Sequence, residues 1–153
     1  MPYPTNIKES LYNHCVQYVG NRIARIKNEI DLQQAAANEE TKSSAGDKYE
    51  TGRAMAQLEI ERNLVQLKEA EKLQSLLQGI VRGGSADRIV PGSLITTAKG
   101  VFYIAISIGT VSLEQQSYFI VSPDSPIGKL LLGKRVGQEI VWRDETYTIA
   151  LIE

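Results

Sequence analysis

Asp47 and Glu50 are the residues of this chain whose types and spacing come nearest to chemistry. They stand three apart in Gly46-Asp47-Lys48-Tyr49-Glu50, directly after a cluster of turn-forming residues. If a helix begins here, that spacing puts both carboxylates on one face. The positive end of the helix dipole then favours both as anions. Two adjacent carboxylates can hold a hard cation such as Mg²⁺, which takes oxygen ligands and keeps several waters. The same residues also suit a structural role, with Asp47 as an N-cap and Glu50 closing a capping box. Spacing leaves both readings open. His14 is the only histidine and Cys15 the only cysteine, which argues against a zinc site built from several such ligands and excludes an intrachain disulfide. These two are expected on a helix surface and in its seam. Ser43 and Ser44 read as turn formers, since no candidate base is identifiable nearby. No Gly-x-x-x-x-Gly-Lys-Ser/Thr phosphate loop occurs.

The acidic pair needs an element to carry it. Before it, apolar residues recur at Tyr12, Val16, Val19, Ile23, Ile26 and Ile30, in alternating steps of four and three. That is a heptad seam, which buries a narrow stripe against a partner helix. Arg22, Arg25 and Lys27 fall on the face left to solvent. After the pair, from about Thr51 to Arg82, a broader stripe runs through Ile60, Leu64, Leu67, Ala70, Leu73, Leu77 and Ile80. Lys68 with Glu71 and Glu69 with Lys72 can pair on its exposed side. Glu39 to Gly46, with Thr41, Ser43 and Ser44, breaks the helical pattern. Two stripes joined by a short turn predict an antiparallel helical hairpin with its tip near 39–50. At ~1.5 Å per residue, arms of about 30 residues would be roughly 45 Å long. Whether the hairpin closes on itself or on a second chain stays open at this point, as does the oligomeric state.

Arg82-Gly83-Gly84-Ser85-Ala86 marks a break. Beyond it the period changes to two. Leu94–Thr97, Val101–Ile108, Tyr118–Val121, Glu139–Trp142 and Thr146–Ile152 read as strands, rich in Ile, Val, Tyr, Phe and Thr. In the last of them Tyr147, Ile149 and Leu151 are expected on one face, and Thr148, Ala150 and Ile152 on the other. A short helix interrupts the set, with Ser125 as its cap, Pro126 in its first turn and Gly133 at its end. The expected class is α+β. Residues 1–84 form a coiled-coil hairpin, and 85–153 a small antiparallel sheet domain with one short helix.

The bulk numbers suit this division. The 153 residues are 42% hydrophobic and 23% charged, with a net charge of −1. The balance holds locally: residues 1–88 carry 12 basic and 12 acidic side chains, and 89–153 carry 5 and 6. A binder of duplex phosphates usually shows a basic excess, so any nucleic-acid contact is expected to be secondary to a protein contact. No apolar run approaches the ~20 residues of a membrane span. Met1 to Ser10 lack a basic stretch followed by an apolar one, so no secretory leader is expected.

Gly46-Asp47-Lys48-Tyr49-Glu50 resembles the Gly-Asp-x-x-Glu tip of the Gre transcript-cleavage factors, which also lies on an N-terminal antiparallel coiled coil. The second half looks like the FKBP-like C-terminal domain of that family. The likeness is carried by Gly92-Ser93, by Ser125-Pro126-Ile127-Gly128-Lys129 with Leu130-Leu131-Leu132-Gly133-Lys134, and by Val136-Gly137. It covers nearly the whole chain, in the family's order. It implies a cytoplasmic factor that enters the secondary channel of bacterial RNA polymerase. There Asp47 and Glu50 would help hold a catalytic Mg²⁺ and its attacking water, and the polymerase would cut the backtracked RNA 3′ end. The chain would not be an enzyme by itself and would meet RNA and DNA only within the elongation complex. Ser125, Pro126, Ile127, Gly128 and Lys129 would form the partner-binding segment.

The chain departs from the family pattern in three places. Thr51-Gly52-Arg53-Ala54 follows Glu50 where the family has an Asn-Ala-Glu-Tyr-like run. Lys48 and Tyr49 add bulk and charge between the carboxylates, and the loop from Val121 to Ser125 is shorter than the family's. These departures bear on cleavage more than on polymerase binding. A channel-binding regulator without cleavage activity is therefore an alternative, and a structural coiled-coil interaction protein another. A prolyl isomerase ranks last, because a domain of this size is expected to lack an aromatic pocket.

Overall fold

The computed structural model describes residues 6–40, 47–81 and 87–153, without the side chains of 40 and 47–50. Residues 41–46 of the expected turn and the expected break at Arg82 to Ala86 lie outside the described residues. The class is α+β: a long N-terminal helical hairpin, then a six-stranded mixed sheet with one short helix. The chain divides into two compact units. One is Gln17–Ser75, and the other joins the chain up to Val16 with Leu76–Glu153.

Helix α1 spans Ile7–Glu40 and α2 spans Asp47–Gln78. Neither contains proline, which would remove a helical hydrogen bond. Within Gln17–Ser75 the seam of α1 is Val19, Ile23 and Ile26, all buried, with Ile30 half-buried. Each buried Ile contributes roughly 1.5–3 kcal/mol of transfer free energy. The facing seam of α2 is Ile60, Asn63, Leu67 and Ala70. Asn63 Nδ2 donates to Gln33 Oε1 at 2.9 Å, so the hairpin closes on its own chain. The expected Leu64 is 48% exposed, whereas Asn63 is only 7% exposed. The heptad count from Ile60 falls on position 63, and geometry decides burial over side-chain apolarity. On α2 an ion pair joins Glu59 and Arg62 at 2.8 Å.

In the other unit the buried positions of α1 are Leu11 and Cys15, each 0% exposed, whereas the expected Val16 is 43% exposed. Steps of four from Leu11 through Cys15 to Val19 rotate the seam away from a strict heptad. Tyr12, half-buried, donates its hydroxyl to the Leu77 carbonyl at 3.1 Å. A Cβ on Gly92 would lie 2.7 Å from Ile80 Cγ2, so this glycine, at φ +95, lets the chain past the residues that follow α2.

The strands are β1 Leu94–Thr97, β2 Gly100–Ile104, β3 Gly109–Leu113, β4 Gln116–Val121, β5 Glu139–Trp142 and β6 Glu145–Ile152, in the order β3-β4-β2-β1-β6-β5. The sheet is mixed and not antiparallel throughout as expected, because β2 and β4 run parallel. After β2 the chain crosses to the outer edge, and β4 returns between β3 and β2. The strand expected over Val101–Ile108 is shorter, with residues 105–108 bending away from it, and a strand the expectation did not include follows. β2 stops at Ile104, and β3 is an edge strand whose single buried residue, Val111, leaves little signal in sequence. Helix α3, Pro126–Leu131, seats Ile127 and Leu131 on one face of the sheet. There they join Ile89, Ile95, Phe102, Ile104, Ile140, Ile149 and Ile152 in the core. Ile149 and Ile152 share this face, while Leu151 is 47% exposed. Strict alternation predicts the reverse for Ile152. The β1–β6 register shifts between Thr96↔Leu151 and Thr97↔Ile149, and the extra residue of this bulge inverts the faces beyond it.

Candidate functional site

Asp47 is the first residue of α2 and Glu50 the fourth, so the acidic pair lies in the opening turn of the second hairpin helix. The helix starts earlier than Thr51, the start expected from periodicity, because its first turn carries no apolar stripe to mark it. The side chains of this turn lie outside the described residues. Among the described residues no three His, Cys, Asp or Glu side chains gather as metal ligands.

The five residues Ser125 to Lys129 build the start of α3. Ser125 caps the helix: its Oγ accepts from Gly128 N at 3.1 Å and donates to the Ser122 carbonyl at 2.7 Å. Pro126 sits in the first turn, where its missing N–H costs nothing. Ile127 is buried in the core. Gly128 is required by space: a Cβ there would overlap the Ser122 carbonyl oxygen and lie 2.9 Å from its carbon. Pro126 and Lys129 are exposed and Ser125 is half-buried, whereas the buried Ile127 and Gly128 are closed to a partner.

A feature that sequence reasoning discounts lies on the same face of the sheet. Phe102 on β2 pairs in register with Phe119 on β4, and their ring centroids are 5.4 Å apart. Tyr147 on β6 meets Phe102 edge-on at 6.0 Å. Together with Trp142 these rings line a half-open groove of about 410 Å³ that also touches Ile127. Phe119, Trp142 and Tyr147 are half-buried. A domain of this size does hold an aromatic groove, contrary to expectation. The six residues of α3 are too few to cover the sheet face, and the aromatic end is what they leave open. The signal in the sequence was the alternation that puts Phe102 and Ile104 on one face, with bulky rings on the strands beside them. Desolvation raises the Tyr147 phenol above its usual range, and Glu145 adds to this while Arg143 opposes it.

A second open groove, of about 500 Å³, lies on the other face between the start of α1 and the sheet. Asn6, Ile7 and Lys8 face Thr96, Val101 and Tyr118 across it, with Glu153 at its margin. Burial, then Glu114 and Glu153, push the Tyr118 phenol up. Cys15 is buried in α1, and burial pushes its thiol up to about 12, far from the thiolate a reactive cysteine needs.

Compared with protein-family models, the chain matches none, and a comparison with curated proteins gives no match either. No described helix is long and apolar enough to cross a membrane.

Proposed function

We propose that this chain is a Gre-like transcription elongation factor that enters the secondary channel of bacterial RNA polymerase and stimulates cleavage of backtracked RNA. The observation that carries the reading is the position of Asp47 and Glu50 in the first turn of the second hairpin helix, in a chain whose following domain is α+β. In this reading the coiled-coil hairpin reaches the polymerase's active centre. Asp47 and Glu50 add oxygen ligands to a Mg²⁺ shared with the polymerase. Two metals there stabilise the attacking and leaving oxygens of the phosphodiester. The positive end of the α2 dipole favours anionic groups at this position. The FKBP-like domain docks on the polymerase surface, with Pro126 and Lys129 available at the contact. The factor works in the cytoplasm, lends ligands and has no catalytic cycle of its own.

The test is RNA cleavage in a halted, backtracked elongation complex of the cognate polymerase. Wild type is expected to stimulate cleavage, and the Asp47→Ala, Glu50→Ala double variant to bind equally but stimulate no more than buffer. Full activity in the double variant would refute the metal role. Polymerase binding without cleavage by the wild type would favour a channel-binding regulator, in keeping with Thr51-Gly52-Arg53-Ala54 after the pair. Failure to bind core polymerase at low salt would remove both polymerase readings and leave a structural interaction protein.

A further inference from the structure

The groove of about 500 Å³ between the start of α1 and the sheet has no part in the chemistry of the acidic pair. Its floor is a row across three strands, because Thr96 on β1, Val101 on β2 and Tyr118 on β4 are neighbours in register. Tyr118 is only 7% exposed, yet its hydroxyl has no hydrogen bond among the described residues. Among those residues no fully buried side-chain oxygen lacks a partner, so this hydroxyl opens into the groove. A phenol buried to this degree ordinarily has a partner. Two opposite charges face the same space. Lys8 on α1 and Glu153 at the margin both line it, and neither forms an ion pair among the described residues.

We propose that this groove binds a small zwitterion of the amino-acid type, an ammonium and a carboxylate on an aliphatic body. The carboxylate matches the α1 side. The bond from Ser10 N to the Asn6 carbonyl is the first of the helix, so the N–H groups of Ile7, Lys8 and Glu9 have no partner within α1, and the positive end of its dipole adds to the Lys8 charge. The ammonium matches the sheet side. Burial raises the Tyr118 phenol first, and Glu114 and Glu153 raise it further, so the field at that hydroxyl is negative. There the ammonium would donate to the Tyr118 oxygen and pair with Glu153. The aliphatic part would lie on Ile7, Leu94 and Val101. An anion alone would meet Glu153 uncompensated, and a cation alone would meet Lys8, whereas a ligand of both signs satisfies both. The groove has room for a molecule of this size. The site is independent of the tip carboxylates, and its test needs no polymerase.

The test is equilibrium dialysis of the full chain against radiolabelled L-leucine, with unlabelled N-acetyl-L-leucine and L-leucinamide as competitors. The first competitor lacks the ammonium and the second the carboxylate. The expected result is saturable retention of leucine, with each competitor weaker than leucine itself by about fivefold or more. Tyr118→Phe removes the hydroxyl and keeps the ring, and it is expected to weaken leucine binding by about three- to tenfold. Lys8→Gln is expected to weaken it by about threefold or more. Far-UV circular dichroism checks that both variants keep the fold. No retention at millimolar leucine would overturn the proposal. So would competition by either one-charge analogue as strong as by leucine, or full affinity in folded Tyr118→Phe and Lys8→Gln.

Discussion

Gly128→Ala is the sharpest test of how the sheet domain holds its helix. The new methyl would overlap the Ser122 carbonyl oxygen and lie 2.9 Å from its carbon, whereas ordinary contact begins at 3.4 Å. The obstacle is backbone, so no rotamer change relieves it. Either α3 lifts or the loop before it retreats. Both movements stretch the 2.7 Å and 3.1 Å bonds of Ser125 Oγ and unseat Ile127 and Leu131 from the core. Overpacking costs about 1–3 kcal/mol, and a lost serine cap about 1 kcal/mol more. A destabilisation of about 3 kcal/mol follows, which is a fall in Tm of about 6–12 °C for a chain of this length. Urea unfolding followed by Trp142 fluorescence reads this in the domain concerned. The exposed Lys129→Ala serves as control and should stay within about 0.5 kcal/mol of wild type. A Gly128→Ala midpoint equal to the control's would refute the argument, since it would mean the loop yields freely.

Three further outcomes are expected. The folded Cys15 pKa of about 12 exceeds the 9.0 of an ordinary thiol, so the folded chain keeps a proton that the unfolded chain releases. Stability from this group is whole below pH 9 and is lost as pH rises toward 12, by at most about 1.4 kcal/mol per unit. Cys15→Ala should flatten that limb in urea titrations at pH 8 to 10, and identical slopes would contradict it. Asn63→Ala should lower hairpin stability by about 1–2 kcal/mol by stripping Gln33 of its partner, while Asn63→Leu should raise it. Helical melting by circular dichroism distinguishes the two signs. The β3–β4 hairpin turns through Glu114 and Gln115, at φ 50 and 67, a left-handed pair that favours glycine. Gln115→Gly should stabilise the chain by about 0.5–1 kcal/mol in urea, and a loss of stability there would show that the side chain contributes more than the backbone strain it causes.

Much of the architecture was legible because it rests on period. Val19, Ile23 and Ile26 follow the heptad and are buried, and the change to alternation after Ile89 marks the sheet. The misses have local causes. Val16 and Leu64 were placed in the seam for their apolarity, yet the helix phase turns them outward and Asn63 inward. Strand β3 was invisible because an edge strand buries little. The face of Ile152 depends on a bulge, which no residue type announces. The start of α3 was readable from Ser125 and Pro126 alone, whereas the demand for Gly128 comes from a carbonyl six residues earlier that only the folded chain brings near. The aromatic groove was missed because it depends on how much sheet a six-residue helix leaves bare.

The position of β1 in the sheet has a consequence for synthesis. One neighbour, β2, follows it at once, but the other is β6, joined through Ile95↔Ile152 and the paired bonds of Leu94 with Glu153 at 2.8 and 2.9 Å. As the chain leaves the ribosome, β1 to β4 can assemble while one side of β1 still has its hydrogen-bonding groups bare. For that interval a strand destined for the middle of the sheet is an edge, open to the same strand of a neighbouring nascent chain. Arrival of β6 closes it. Slowing translation between Val121 and Glu145 should therefore raise co-translational aggregation, whereas the same delay within α1 should not.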